Sequence, residues 1–119
     1  MKLYHTTTPE RAATIKSKGF LDAEGSYGLM FGDGTPFHIR GVFFSDTPLR
    51  CNDGLPPDAS EVFVIEIPKY LIELYELVEE GKGYREWCIP ARLVNRYFAE
   101  REPVKLDSLL WGLRGSDTR

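Results

Sequence analysis

A chain of 119 residues suits one domain spanning 1–119, and burying roughly two thirds of its unfolded surface gives such a domain a core without disulfide staples. The net charge is −3, signs are mixed along both halves, and no basic arm or block supports generic electrostatic binding to nucleic acid. No window approaches the roughly 20 apolar residues of a membrane span. "MKLYH" turns polar at once, and the two cysteines, Cys51 and Cys88, read as reduced thiols. The expectation is a soluble, cytoplasmic protein with no membrane partner.

The chain opens on Lys2 to His5, which sits where a first strand would. Thr8-Pro9-Glu10 is a helix start: a threonine oxygen caps free amides, proline tolerates the first helical position, and an acid suits the positive end of the dipole. Ala12 and Ile15, with Ala13 beside them, are expected to form the buried stripe. Lys16 and Lys18 close the last turn, Gly19 is a left-handed stop, and Phe20 is expected to fold back as a hydrophobic clasp.

From Leu21 to Gly41 the pattern breaks into glycines alternating with Tyr27, Met30, Phe31, Phe37 and His38, a stretch that matches neither a phosphate loop nor a dinucleotide fingerprint. It reads as a long loop able to cover a ligand. Val42 to Ser45 is a short β-type run, 50–60 a turn-rich loop, and "EVFVIEI" a strand stopped by Pro68. "KYLIELYELVEE" has helical spacing at Leu71, Leu74, Tyr75 and Val78, while "YELVEE", "GKG" and "YREWCI" together also read as a hairpin; local periodicity alone favours the helix. "PARLVNRYF" looks helical, and Leu109, Leu110, Trp111 and Leu113 in the tail are expected to dock on the body. These elements predict an α+β domain with a mainly antiparallel or mixed sheet.

Few residues carry obvious chemistry. His5 ends the first strand and serves either as a structural hydrogen-bonding group or as a ligand. Glu86, between Arg85 and Trp87 at the start of an apolar run, needs a partner or a role. Phe43 and Phe44 are adjacent on a strand, so one belongs to the core and the other faces away, either packed or lining a pocket. His38, Cys51 and Cys88 do not have the spacing of zinc ligands, and Ser45 lacks a G-x-S-x-G elbow.

Taken in order, three segments resemble the H-Y-E group of the ADP-ribosyltransferase superfamily, the group of diphtheria toxin and the poly(ADP-ribose) polymerases. "LYHTTTPERAATIKSKGF" resembles its strand ending in H-G-T with the helix and "GF" turn that follow. "RGVFFSD" resembles its G-[IV]-[YF]-[FY]-[AS] strand, and "GYREWCIPARLVNRYF" its late strand carrying the catalytic glutamate. The resemblance implies a split antiparallel or mixed sheet with a few short helices around an NAD⁺ cleft, in a small stand-alone enzyme of bacterial or phage type. NAD⁺ is then the co-substrate, no metal is needed, and the acceptor is an unspecified protein, nucleic acid or small molecule. His5 would bond a ribose hydroxyl, Thr6 would offer backbone groups to the nicotinamide amide, and Thr7 would support the histidine. Phe43 would stack on the nicotinamide ring with Ser45 beside it, and Glu86 would bond the 2′-hydroxyl of the nicotinamide ribose. The sequence departs from the group at Thr6, where glycine is usual, and at Phe43, where tyrosine is usual. A second stacking aromatic is missing from "CNDGLPP", and Tyr27, Phe31 or Phe37 would have to replace it. Tyr84 stands two residues before Glu86, which argues against arginine as acceptor. The implied activity is ADP-ribosyl transfer or NAD⁺ hydrolysis with release of nicotinamide. The alternative is an inactive module of the same fold that binds NAD⁺ or ADP-ribose. By analogy, the resemblance favours the hairpin for "YELVEEGKGYREWCI".

Overall fold

The first strand, β1 (Lys2–Thr7), and the first helix, α1 (Pro9–Lys18), form where the sequence places them. The Thr8 hydroxyl accepts from Arg11 N at 3.3 Å, and Pro9 fills the first helical position, where its missing N–H leaves no bond unmade. Gly19 closes α1 in the left-handed region at φ 81°, its N–H donating to Ile15 O at 2.7 Å. Phe20 then enters the core, gripped at both backbone groups by Asn95. Phe20 N donates to Oδ1 at 2.9 Å, and Nδ2 donates to Phe20 O at 3.0 Å.

The computed structural model describes residues 1–25, 39–49, 55–77 and 83–110. After α1 come β2 (Ala23–Gly25), β3 (Ile39–Ser45), β4 (Glu61–Glu66), α2 (Lys69–Ile72), β5 (Glu76–Leu77), β6 (Glu86–Ile89), α3 (Ala91–Val94) and β7 (Val104–Lys105). Single 3₁₀ turns, Glu73–Tyr75 and Asn95–Tyr97, extend α2 and α3, and residues 106–110 are helical. Two of these strands lie inside the stretch expected to be loop: β2, and the first three residues of β3, which starts at Ile39 and not at Val42. β2 exists because Ala23–Gly25 pairs with Ile39–Gly41, a contact between segments far apart in sequence. The ambiguous "KYLIELYEL" resolves into both readings, a short helix over Lys69–Ile72 and then a strand that pairs with β6. The turn residues of that hairpin, 78–82, lie outside the described residues, as do Trp111 and Leu113.

The result is a compact α+β fold around an open sheet in the order β5-β6-β3-β1-β4-β7, with β2 beside β3. Every pairing among the described residues is antiparallel. Paired residues share a face. One face presents Leu3 and His5 of β1, Val42 and Phe44 of β3, Phe63 and Ile65 of β4, and Trp87 and Ile89 of β6. The apolar members join Ala12 of α1, Phe20, Ala91 and Val94 of α3, and Phe98 in one core. At the edge, Glu61 stands opposite Lys105 and pairs with it, which docks the two-residue β7 on β4. The other face carries Tyr4, Thr6, Phe43, Ser45, Glu86 and Cys88. Among the described residues, no helix is long and apolar enough to cross a membrane.

Candidate ligand-binding site

The sheet parts between β1 and β3. β1 pairs with β4 along its whole length, and β3 pairs with β6 from Val42 to Ser45, but β1 and β3 share only the pair Tyr4↔Ser45. The Ser45 hydroxyl ties this vertex, lying 2.6 Å from Thr47 O and 3.3 Å from Tyr4 O, both acceptors. Just beyond it, where the ladder stops, the His5 side chain bridges the gap: Nδ1 donates to Phe43 O at 2.7 Å. The ring is set edge-on to Phe20, with centroids 5.3 Å apart, and lies 5.6 Å from Phe44.

That geometry fixes the chemical state of His5. A carbonyl only accepts, so Nδ1 carries the proton. Burial holds the ring below the usual histidine range; the bond to Phe43 O opposes this, and the Arg11 charge adds to it. The ring is therefore neutral near neutral pH, and Nε2 is left as a hydrogen-bond acceptor.

A cavity of about 550 Å³ opens at the parting, bounded by β1, α1, residues 19–24, β3 and the Leu55–Pro56 turn. Its size falls within the range of small-molecule sites, roughly 300–1,000 Å³. His5, Thr6, Thr7, Phe43 and Ser45, five residues for which the resemblance implies a role in the site, all line it. Of the two adjacent aromatics, Phe44 is the core residue, at 2% exposed, and Phe43 is half-buried in the cavity wall. The Thr6 hydroxyl is buried and has no hydrogen-bond partner among the described residues. Thr7 is buried with its carbonyl accepting from Ser60 N at 3.1 Å; His5 is held by Phe43 O, and no hydrogen bond runs from Thr7 to it.

Glu86 stands one strand further, opposite Ser45 in the β3–β6 register and on the same face as Phe43 and Ser45. That register is clamped by a reciprocal pair: Asp46 N donates to Arg85 O at 3.1 Å and Arg85 N donates to Asp46 Oδ1 at 3.0 Å. Arg85 also forks onto Glu76 of β5 at 2.7 and 2.8 Å, and its guanidinium lies over the Trp87 ring. Glu86 is only 2% exposed and does not line the cavity among the described residues. Tyr27 lies outside the described residues. Cys88 is a buried free thiol whose pKa burial pushes up, with Asp22 adding to the effect, which leaves it a poor nucleophile.

The chain matches no family model, no curated protein and no solved structure. The site is read from its own geometry.

Among the cavity residues to which the sequence reading gave no role in the site are Arg11 and Asp22. Arg11 lines the wall because its spacing from Thr14 and Ile15 places the three on one side of α1. That signal was legible in "RAATI". Asp22 also lines the cavity, with Oδ1 accepting from Ala91 N at 2.8 Å at the start of α3. Its partner is remote in sequence, and no local pattern marks it.

Proposed function

We propose that the protein is an NAD⁺-using ADP-ribosyltransferase-like enzyme that binds the dinucleotide where β1 and β3 part. The observation that supports this best is the meeting of the three resembling segments on neighbouring strands. His5, Thr6, Phe43 and Ser45 line one cavity, and Glu86 stands opposite Ser45 on the next strand, behind that lining.

In this reading the neutral His5 accepts a ribose hydroxyl at Nε2, and Phe43 gives the nicotinamide ring a flat platform. The C1′–N bond breaks with its electron pair going to the pyridine ring, which leaves as neutral nicotinamide. The ribose passes through an oxocarbenium-like state, as in glycoside cleavage. Glu86, bonded to the 2′-hydroxyl, stabilises the developing positive charge, and an acceptor or water adds at C1′ and releases a proton. The acceptor is a protein, a nucleic acid or a small molecule. A free Cys88 thiol is consistent with the reducing cytoplasm that the sequence leads one to expect.

A second reading, a module that binds NAD⁺ or ADP-ribose without turnover, is favoured by the burial of Glu86 away from the described lining. Label from ADP-ribose-labelled NAD⁺ separates the two in a cell lysate. Incorporation with wild type and not with Glu86→Gln supports the transferase, and protease or nuclease sensitivity of the label then gives the acceptor class. NAD⁺ binding that Phe43→Ala weakens, with no label transferred and no nicotinamide released, supports the module.

A further inference from the structure

We infer that Arg11 is the anion anchor of the cavity, so that the ligand held there carries a phosphate group. This deepens the proposed dinucleotide reading and rests on it for the ligand's identity, though not for its charge.

Arg11 is exposed and lines the cavity. Among the described residues it makes no ion pair. Its own helix gives it no acid either, because the neighbours three and four positions away are Thr8, Thr14, Thr7 and Ile15. The two acids that share the cavity have other neighbours: Asp22 accepts from Ala91 N, and Glu24 stands opposite Arg40 in the β2–β3 register. Among the described residues the guanidinium is thus a cation without an ion pair on a residue that lines a ligand-sized space. Its charge reaches the interior, where it is one of the causes that keep the His5 ring neutral.

The groups around it complete the chemistry. His5 Nε2 is a hydrogen-bond acceptor, the Thr6 hydroxyl is buried with no partner among the described residues, and Phe43 lines the wall. A cation with no ion pair among the described residues, beside an acceptor and an aromatic, suits a phosphate joined to a sugar and a base. A planar fork of N–H donors matches two phosphate oxygens, and the positive end of the α1 dipole lies close by. Free nicotinamide or a neutral nucleoside leaves the cation unused.

The test is calorimetric titration at low salt with ADP, adenosine and inorganic pyrophosphate, using wild type, Arg11→Met and Lys18→Met. Lys18 is an exposed cation on the same helix outside the cavity lining, and methionine keeps either position helical. The expected result is that wild type and Lys18→Met bind ADP about tenfold to a hundredfold more tightly than Arg11→Met does, while adenosine binds all three alike. Equal ADP affinity for wild type and Arg11→Met overturns the anchor. So does equal affinity of wild type for ADP and adenosine. If none of the three probes binds wild type, anchor and nucleotide reading fall together. Arg11-dependent ADP binding with no release of nicotinamide from NAD⁺ keeps the anchor and removes the enzyme.

Discussion

At the scale of single residues, the vertex of the parting sheet depends on two side chains with different jobs. The Ser45 hydroxyl lies against Thr47 O and Tyr4 O at the one pair joining β1 to β3, and the residue is 1% exposed. Ser45→Ala should lose about 1 kcal/mol, read as a shift in the urea midpoint at unchanged slope. His5 carries a pH dependence. Its native pKa lies below the unfolded value of about 6.5, so as pH falls through that value the unfolded chain takes up a proton that the native protein resists. Its contribution is complete above about 6.5 and is lost as pH drops from there toward the lower native value. Melting temperature should therefore fall on acidification below about 6.5 in wild type, and fall less over that window in His5→Gln. An equal slope in both proteins would show that the ring is not held neutral.

At the scale of elements, glycine and asparagine set how strands and helices meet. A Cβ on Gly41 would lie 2.7 Å from Cys88 Sγ and 3.0 Å from Ile89 O. The second contact is with backbone and gives little, so β3 and β6 approach this closely only with glycine there. Gly41→Ala should cost about 1–3 kcal/mol by overpacking, and NAD⁺ binding should weaken with it because β3 carries Phe43. Asn95 fixes where α1 hands over to the core by holding both backbone groups of Phe20. Asn95→Ala leaves a partly buried amide and carbonyl unmatched and should cost about 1–3 kcal/mol in denaturant unfolding. The two elements show what a sequence can and cannot reveal. α1 was legible from Thr8-Pro9-Glu10 to Gly19 because every signal is local: cap, dipole and left-handed stop all lie in one stretch. β2 and β7 were not, since three- and two-residue strands have no period to read and form only against Ile39–Gly41 and Glu61–Val62. The hairpin to β6 was half legible, because helix and strand share "KYLIELYEL" and tertiary pairing decides where one gives way to the other.

At the scale of the molecule, the strand order places the opening strand and the late glutamate strand on either side of β3. A resemblance confined to three short segments is thereby consistent with one site. The α+β class and the antiparallel sheet followed from the order of the elements. His5, Thr6, Thr7, Phe43 and Ser45, grouped by the resemblance and not by their own pattern, line one cavity because β1 and β3 part beyond Tyr4↔Ser45. Arg11 belongs to the site only because α1 packs beside the parting strands, a tertiary placement that no local motif marks. The role of Glu86 rests on chemistry that only a substrate reveals: it adjoins the cavity wall in register yet is almost fully buried. The most direct measurement is free nicotinamide released from NAD⁺ by purified protein, wild type beside Glu86→Gln, with NAD⁺-induced thermal shift followed on the same samples. The account predicts release by wild type, a loss of two or more orders of magnitude in rate with Glu86→Gln, and the same thermal shift in both, on the order of what removing one preorganised electrostatic contact costs. Equal release by both proteins, or no release and no thermal shift with wild type, would contradict it.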